Sequence, residues 1–80
     1  MRLDKYLKVS RIIKRRTIAN EACDAQRVFV NGKIARASYE VKIGDIIEVS
    51  LGSRIVKIQV TALREAPNKD SASENYTVLE

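Results

Sequence analysis

Four of the six residues from Arg11 to Arg16 are basic: Arg11, Lys14, Arg15 and Arg16. Arg2 and Lys5 stand a short way upstream. A dense cluster of such side chains points first to binding of a polyanion. An arginine presents a planar fork of N–H donors that engages phosphate oxygens in pairs, and a lysine adds a compact positive charge. The rest of the chain sharpens the contrast. Residues 1–36 carry ten Lys/Arg against three acids (Asp4, Glu21 and Asp24), a net charge of +7, whereas residues 37–80 carry five against seven, a net of −2, for +5 overall. One basic half beside one mildly acidic half points to a polyanionic partner.

Other chemistry is poorly supplied. The 80 residues include no histidine and one cysteine, Cys23, so an internal disulfide, a zinc site of the usual spacing and histidine acid–base catalysis are excluded. The three glycines, Gly32, Gly44 and Gly52, are isolated and make no phosphate-cradling loop. Carboxylates such as Glu40, Asp45 and Glu48 are scattered over predicted turns and strands. Cys23 falls on an apolar helical stripe, where a small buried hydrophobe is expected. The sequence therefore predicts a binding protein and not an enzyme, with no cofactor and no metal. No apolar run is long enough to span a membrane and no signal peptide is evident, so a cytoplasmic protein without a membrane partner is expected.

The elements that must position the basic residues are short. Leu3, Tyr6 and Leu7 share one face of a helix predicted over 3–8. Thr17 is a candidate N-cap for a second helix over 18–25, with Ile18, Ala19, Ala22 and Cys23 as its apolar stripe. The period then changes to two. Val28 and Val30 flank Phe29, and Asn31-Gly32 is a strong hairpin signal because both turn positions need positive φ. Lys42–Asp45 reads as a second turn, and alternation at Ile47, Val49 and Leu51 and at Val56, Ile58 and Val60 predicts two further strands. The fold class is α+β: two short N-terminal helices, helix-turn-helix-like, packed on a small antiparallel sheet of about four strands. Residues 1–65 form the domain. Residues 66–80 read as a flexible loop and C-terminal tail, with Tyr76, Val78 and Leu79 able to return to the body.

Four motifs in this order carry a resemblance: Arg2-Leu3-Asp4-Lys5-Tyr6-Leu7, Arg15-Arg16-Thr17-Ile18-Ala19, Arg27-Val28-Phe29-Val30-Asn31-Gly32, and Val41 to Val49 with its Gly44-Asp45. Over residues 1 to about 50 the chain resembles the RNA-binding domain named after small-subunit ribosomal protein S-four, also called the αL motif. The family usually has Ser at the position of Arg15 and Gly near Gln26, where the second helix ends. The opening Met1 to Thr17 and the Tyr76-Thr77-Val78-Leu79 ending are most similar to a stand-alone branch of Gram-positive bacteria.

That resemblance implies a factor of bacterial ribosome-associated quality control. Its partners would be large-subunit ribosomal RNA, peptidyl-tRNA and the tailing factor RqcH, which extends the stalled chain with alanine. The arginines matching Arg2 and Arg16 would contact RNA. Lys5, Arg11, Lys14 and Arg15 would widen the basic groove between the two helix starts, and phosphate at the start of the second helix would meet its free N–H groups. Asp4 is expected to pair with an arginine, Tyr6 to belong to the core, and Lys33, Arg54, Lys57 and Arg64 to be solvated. Nothing requires more than a monomer. Alternatives are an RNA-binding adaptor for a separate RNA-modifying enzyme, a general ribosome-associated heat-shock-type factor, and a protein-only module whose basic face meets an acidic partner.

Overall fold

In the computed structural model, residues 1–64 and 75–79 are described. Helix α1 spans Leu3–Val9, and its stripe of Leu3, Tyr6 and Leu7 is fully buried. The chain leaves α1 through Ser10 and then Arg11, which takes a left-handed conformation (φ 58°). The Arg11 amide donates to the Lys8 carbonyl (3.0 Å), which closes the helix end and reverses the chain.

Helix α2 spans Arg16–Asp24, so it starts earlier than expected. Arg15, not Thr17, takes the extended N-cap conformation, and the Ala19 amide closes the first turn on the Arg15 carbonyl (3.0 Å). Thr17 lies inside the helix. The apolar stripe is also narrower: Ala19 and Cys23 are buried, Ala22 packs at the margin, and Ile18 is 49% exposed. Ala19 and Cys23 are one helical turn apart on the face toward the core, and Ile18 sits about 100° round from Ala19. The helix ends in a Schellman motif. Gln26 is left-handed (φ 62°), its amide donates to the Cys23 carbonyl (3.0 Å), and the Arg27 amide donates to the Ala22 carbonyl (2.9 Å). The position where the related domain has Gly thus keeps the conformation that favours Gly.

The described strands are β1 (Val28–Val30), β2 (Lys33–Ile34), β3 (Ile46–Leu51), β4 (Arg54–Val60) and β5 (Tyr76–Val78). They form one antiparallel sheet with the order β2-β1-β3-β4-β5. The Asn31-Gly32 hairpin has positive φ at both positions (54° and 83°), as its sequence predicts. Val28↔Val49 and Val30↔Ile47 pair β1 with β3, and Ile47↔Ile58 and Val49↔Val56 pair β3 with β4. These rows, with Val60, place an apolar face against Leu3, Tyr6, Leu7, Ala19 and Cys23.

The sheet has five strands where about four were expected, and the fifth is the C-terminal Tyr76–Val78. It is tied down by Asn75, which is fully buried. The Asn75 side chain brackets the backbone of Arg64, accepting from its amide (3.0 Å) and donating to its carbonyl (2.6 Å). The Asn75 carbonyl accepts from the Tyr6 hydroxyl (2.7 Å) across the whole chain. Burial pushes that phenol up to about 12. Tyr6 is a core residue, as expected. Of the loop and tail expected over 66–80, residues 66–74 and 80 lie outside the described residues.

Candidate nucleic-acid interface

Asp4 organises the basic surface. It lies in the first turn of α1 and is almost wholly buried, yet it is charged. Its Oδ1 accepts from Arg2 Nε (3.2 Å) and from the Lys5 amide (2.8 Å). Its Oδ2 lies 3.3 Å from Arg16 Nε and accepts longer bonds from Arg2 Nη2 (3.5 Å) and Asn20 Nδ2 (3.4 Å). Burial pushes the carboxyl up, but hydrogen bonds from Arg16, Asn20, Arg2 and the Lys5 amide outweigh it and hold the pKa below its ordinary value. Asp4 therefore pairs with two arginines where one was expected.

This arrangement presents the guanidiniums. Each arginine side chain is 48% exposed, whereas Asp4 is 3% exposed. A carboxylate with its lone pairs filled by five such contacts leaves further guanidinium N–H donors for another acceptor. Arg2 and Arg16 belong to different helices' starts, 14 positions apart in the chain, and the buried carboxylate holds them together. The cluster of two cations and one anion keeps a net positive charge.

The start of α1 is closed from behind. Arg2 forms an antiparallel bridge with Glu40, the Leu3 amide donates to the Tyr39 carbonyl (2.8 Å), and the Asp4 amide donates to the Ala37 carbonyl (3.2 Å). With the Lys5 amide on Asp4 itself, the first-turn donors of α1 are all taken. In the expected groove between the two helix starts, α1 therefore contributes charge through side chains only. Helix α2 has no side-chain cap at Arg15.

A second concavity is lined by Lys8, Val9, Arg11 and Lys14 around the end of α1. It brings Arg11 and Lys14 together, and adds Lys8, which the sequence reading left out of the site. Lys8 lies three residues before Arg11, a spacing that could have flagged it. Arg15 is exposed at the N-cap of α2, and Lys5 is half-buried on α1. Arg36 was also missed. It lines a groove with Arg2, Asn20 and Cys23, and only the strap from Ala35 to Val41 brings it there. Cys23 is buried, and burial with the charges of Asp4 and Asp24 pushes its thiol up to about 11, so it is a poor nucleophile. Among the described residues, no group of three or more His, Cys, Asp or Glu is placed to hold a metal ion. No described helix is long and apolar enough to cross a membrane.

A knot of another kind lies across the hairpin. Asp45 accepts from the Tyr39 hydroxyl (2.9 Å), the Lys42 amide (2.9 Å) and Asn31 Nδ2 (3.1 Å). Burial raises its pKa, and these bonds, with the Lys42 charge, bring it below the ordinary value. Asn31 Oδ1 in turn accepts from the Ile46 amide (3.0 Å). Asn31 thus joins two turns besides forming one.

Comparison with known proteins shows what the chain is similar to. Residues 1–47 match the model of the S4 domain. The chain is 49% identical over 79 residues to a Bacillus subtilis protein named RQC P-site tRNA stabilizing factor, covering 99% of this chain and 92% of that one. A Listeria innocua protein of the same name is 48% identical, over 99% of this chain and 86% of its own. Among solved structures, the trimeric Heat Shock Protein 15 of Vibrio cholerae superimposes with a TM-score of 0.91 at 28% identity, over 98% of this chain and 80% of that one.

Proposed function

The chain belongs to the S4 domain family, and on that footing we propose that it is an RNA-binding factor of bacterial ribosome-associated quality control, one that steadies peptidyl-tRNA on the large ribosomal subunit. It acts by binding, without catalysis. The observation that carries this reading is the pairing of Arg2 and Arg16 on one buried carboxylate, Asp4. Two forks fixed in advance lose little side-chain freedom when they close on a phosphate backbone. The names of the relatives supply the rest, since each is a P-site tRNA stabilizing factor.

In this proposal Arg2 and Arg16 hold one stretch of backbone, and Lys5 and Arg15 border it. Arg11 and Lys14, with Lys8, meet a second stretch from their own concavity. Contacts of this sort orient the protein on folded RNA and read shape, with little demand on base sequence. One face would touch large-subunit RNA and the other the tRNA, beside the tailing factor RqcH, so that alanine addition proceeds on a held substrate. In this proposal the protein works as a monomer in the cytoplasm.

Sedimentation of the tagged protein through a sucrose gradient tests this reading. The wild type should travel with large subunits carrying peptidyl-tRNA, and Arg16→Ala should stay near the top. In a salt series, Arg16→Ala should bind roughly tenfold or more weakly and flatten the log–log salt slope by about one unit. A wild-type profile for the variant, or unchanged alanine tails in cells lacking the protein, would overturn the proposal. The structural likeness to Heat Shock Protein 15 favours one second reading, a general heat-shock-type factor, which in this proposal would be ribosome-associated. Loss of the gene would then leave alanine tailing intact while binding to subunits persists.

A further inference from the structure

A groove beside β2 adjoins the site described above and extends it. It is formed by the edge strand Lys33–Ile34 and the strap running on to Tyr39. Three observations distinguish it. Its cations, Lys33 and Arg36, are exposed, and among the described residues no carboxylate lines it. Ile34 is 55% exposed on the outermost strand, outside the core, so folding does not account for it. Tyr39, half-buried in the same groove, has its hydroxyl pinned by Asp45 (2.9 Å), which fixes the ring in place.

The groove is continuous with the arginine site. It shares Ile34, Ala35, Arg36 and Ser38 with the groove that holds Arg2 and Asn20. Arg2 is joined through Asp4 to Arg16. One track of cations therefore runs from Arg16 by way of Arg2 and Arg36 to Lys33. Charge alone would suit any polyanion, but an apolar floor between cations suits a narrower class. A regular RNA helix keeps its base faces stacked inside, whereas a bulged or single-stranded nucleotide offers a bare π-face between two phosphates.

Resting on the RNA-binding reading, we infer that this groove seats one unstacked nucleobase of the bound RNA against Ile34 and Tyr39, while Lys33 and Arg36 hold its flanking phosphates. Lys33 then belongs to the interface and is not merely a solvated charge.

The experiment is a salt series of affinity with the full chain and two probes: purified large ribosomal subunits and deproteinised large-subunit RNA. Arg36→Ala should weaken binding several-fold and lower the salt slope by about one unit. Ile34→Thr should weaken binding roughly fivefold on both probes and leave the slope unchanged, because an apolar contact releases no counterions. Ile55→Thr is the control: Ile55 is 64% exposed on β4, and its loss should change nothing. If Ile34→Thr and Arg36→Ala bind like wild type while Arg16→Ala fails, the groove inference falls and the RNA-binding reading stands. If Arg16→Ala also binds like wild type, the RNA-binding reading itself falls. A loss with Ile34→Thr on subunits but not on naked RNA would make the occupant a ribosomal protein, and would equally overturn the inference.

Discussion

Asp4 and Asp45 are both nearly buried (2% and 8% exposed) and both collect several hydrogen bonds, but from different kinds of donor. Asp4 takes two arginines whose side chains remain about half exposed. Asp45 takes a phenol, an amide side chain and a backbone N–H, all within the turns it joins. A buried carboxylate held by neutral donors fixes the chain. The same carboxylate held by solvent-facing guanidiniums fixes those guanidiniums, and so prepares a surface. The first arrangement serves the fold and the second, in the proposed function, serves binding, although both sites look alike in burial and in the downward shift of the carboxyl.

Separating these roles by mutation gives the largest expected effect first. Asp45→Ala should destabilise the fold by about 2–3 kcal/mol, read as a lower urea midpoint, because it strands the Tyr39, Asn31 and Lys42 donors. Its folded fraction should still carry the arginine site. Acid titration sharpens the point. Both folded carboxyls lie below their ordinary value of 3.8, so their contribution is intact above that pH and is lost as pH falls through the depressed folded values. Asp45→Asn should therefore flatten part of the acid limb of stability against pH. A limb identical to wild type would mean that Asp45 does not fix the turns.

Asp4→Ala separates presentation from simple electrostatics by the sign of its effect. Removing a negative charge from a basic surface should strengthen RNA binding if charge were all that mattered. If Asp4 positions Arg2 and Arg16, affinity should instead fall by roughly tenfold, or about 1.4 kcal/mol. Filter binding at fixed salt decides between the two.

The remaining predictions concern the scaffold. Tyr6→Phe should cost about 1 kcal/mol, since the Asn75 carbonyl loses one donor but keeps the Thr61 amide (3.0 Å). The phenol's folded pKa of about 12 stands above its ordinary 10.0, so its contribution is full below pH 10 and lost as pH rises toward 12. The variant should show a weaker alkaline loss of stability. Gln26→Gly should raise stability by about 0.5 kcal/mol: glycine removes a left-handed strain of about 1 kcal/mol at φ 62°, and the entropy gained by the unfolded chain offsets part of that gain. Neither change should move the salt slope of RNA binding.

Much of this architecture was legible because it is local. The spacing of Leu3, Tyr6 and Leu7 fixes which face of α1 is buried. Asn31-Gly32 needs only its own two φ angles to make the hairpin. The absence of histidine and the basic run at 11–16 limit the chemistry before any folding is considered. The helix boundary failed by two residues, because Thr17 is a good cap by composition while Arg15 occupies the cap by geometry.

What tertiary structure alone decided is held by contacts between residues far apart in the chain. The Tyr39 and Ala37 carbonyls close the start of α1. Arg36 reaches the groove of Arg2, and the Tyr6 hydroxyl meets Asn75. Helical and strand periods describe how a residue faces its own element, and no period links residue 2 to residue 36 or residue 6 to residue 75. The sequence by itself determined that this protein carries a dense positive charge on a small α+β body; only the folded chain determined which of those charges stand together, because a buried carboxylate and a long-range strap put them there.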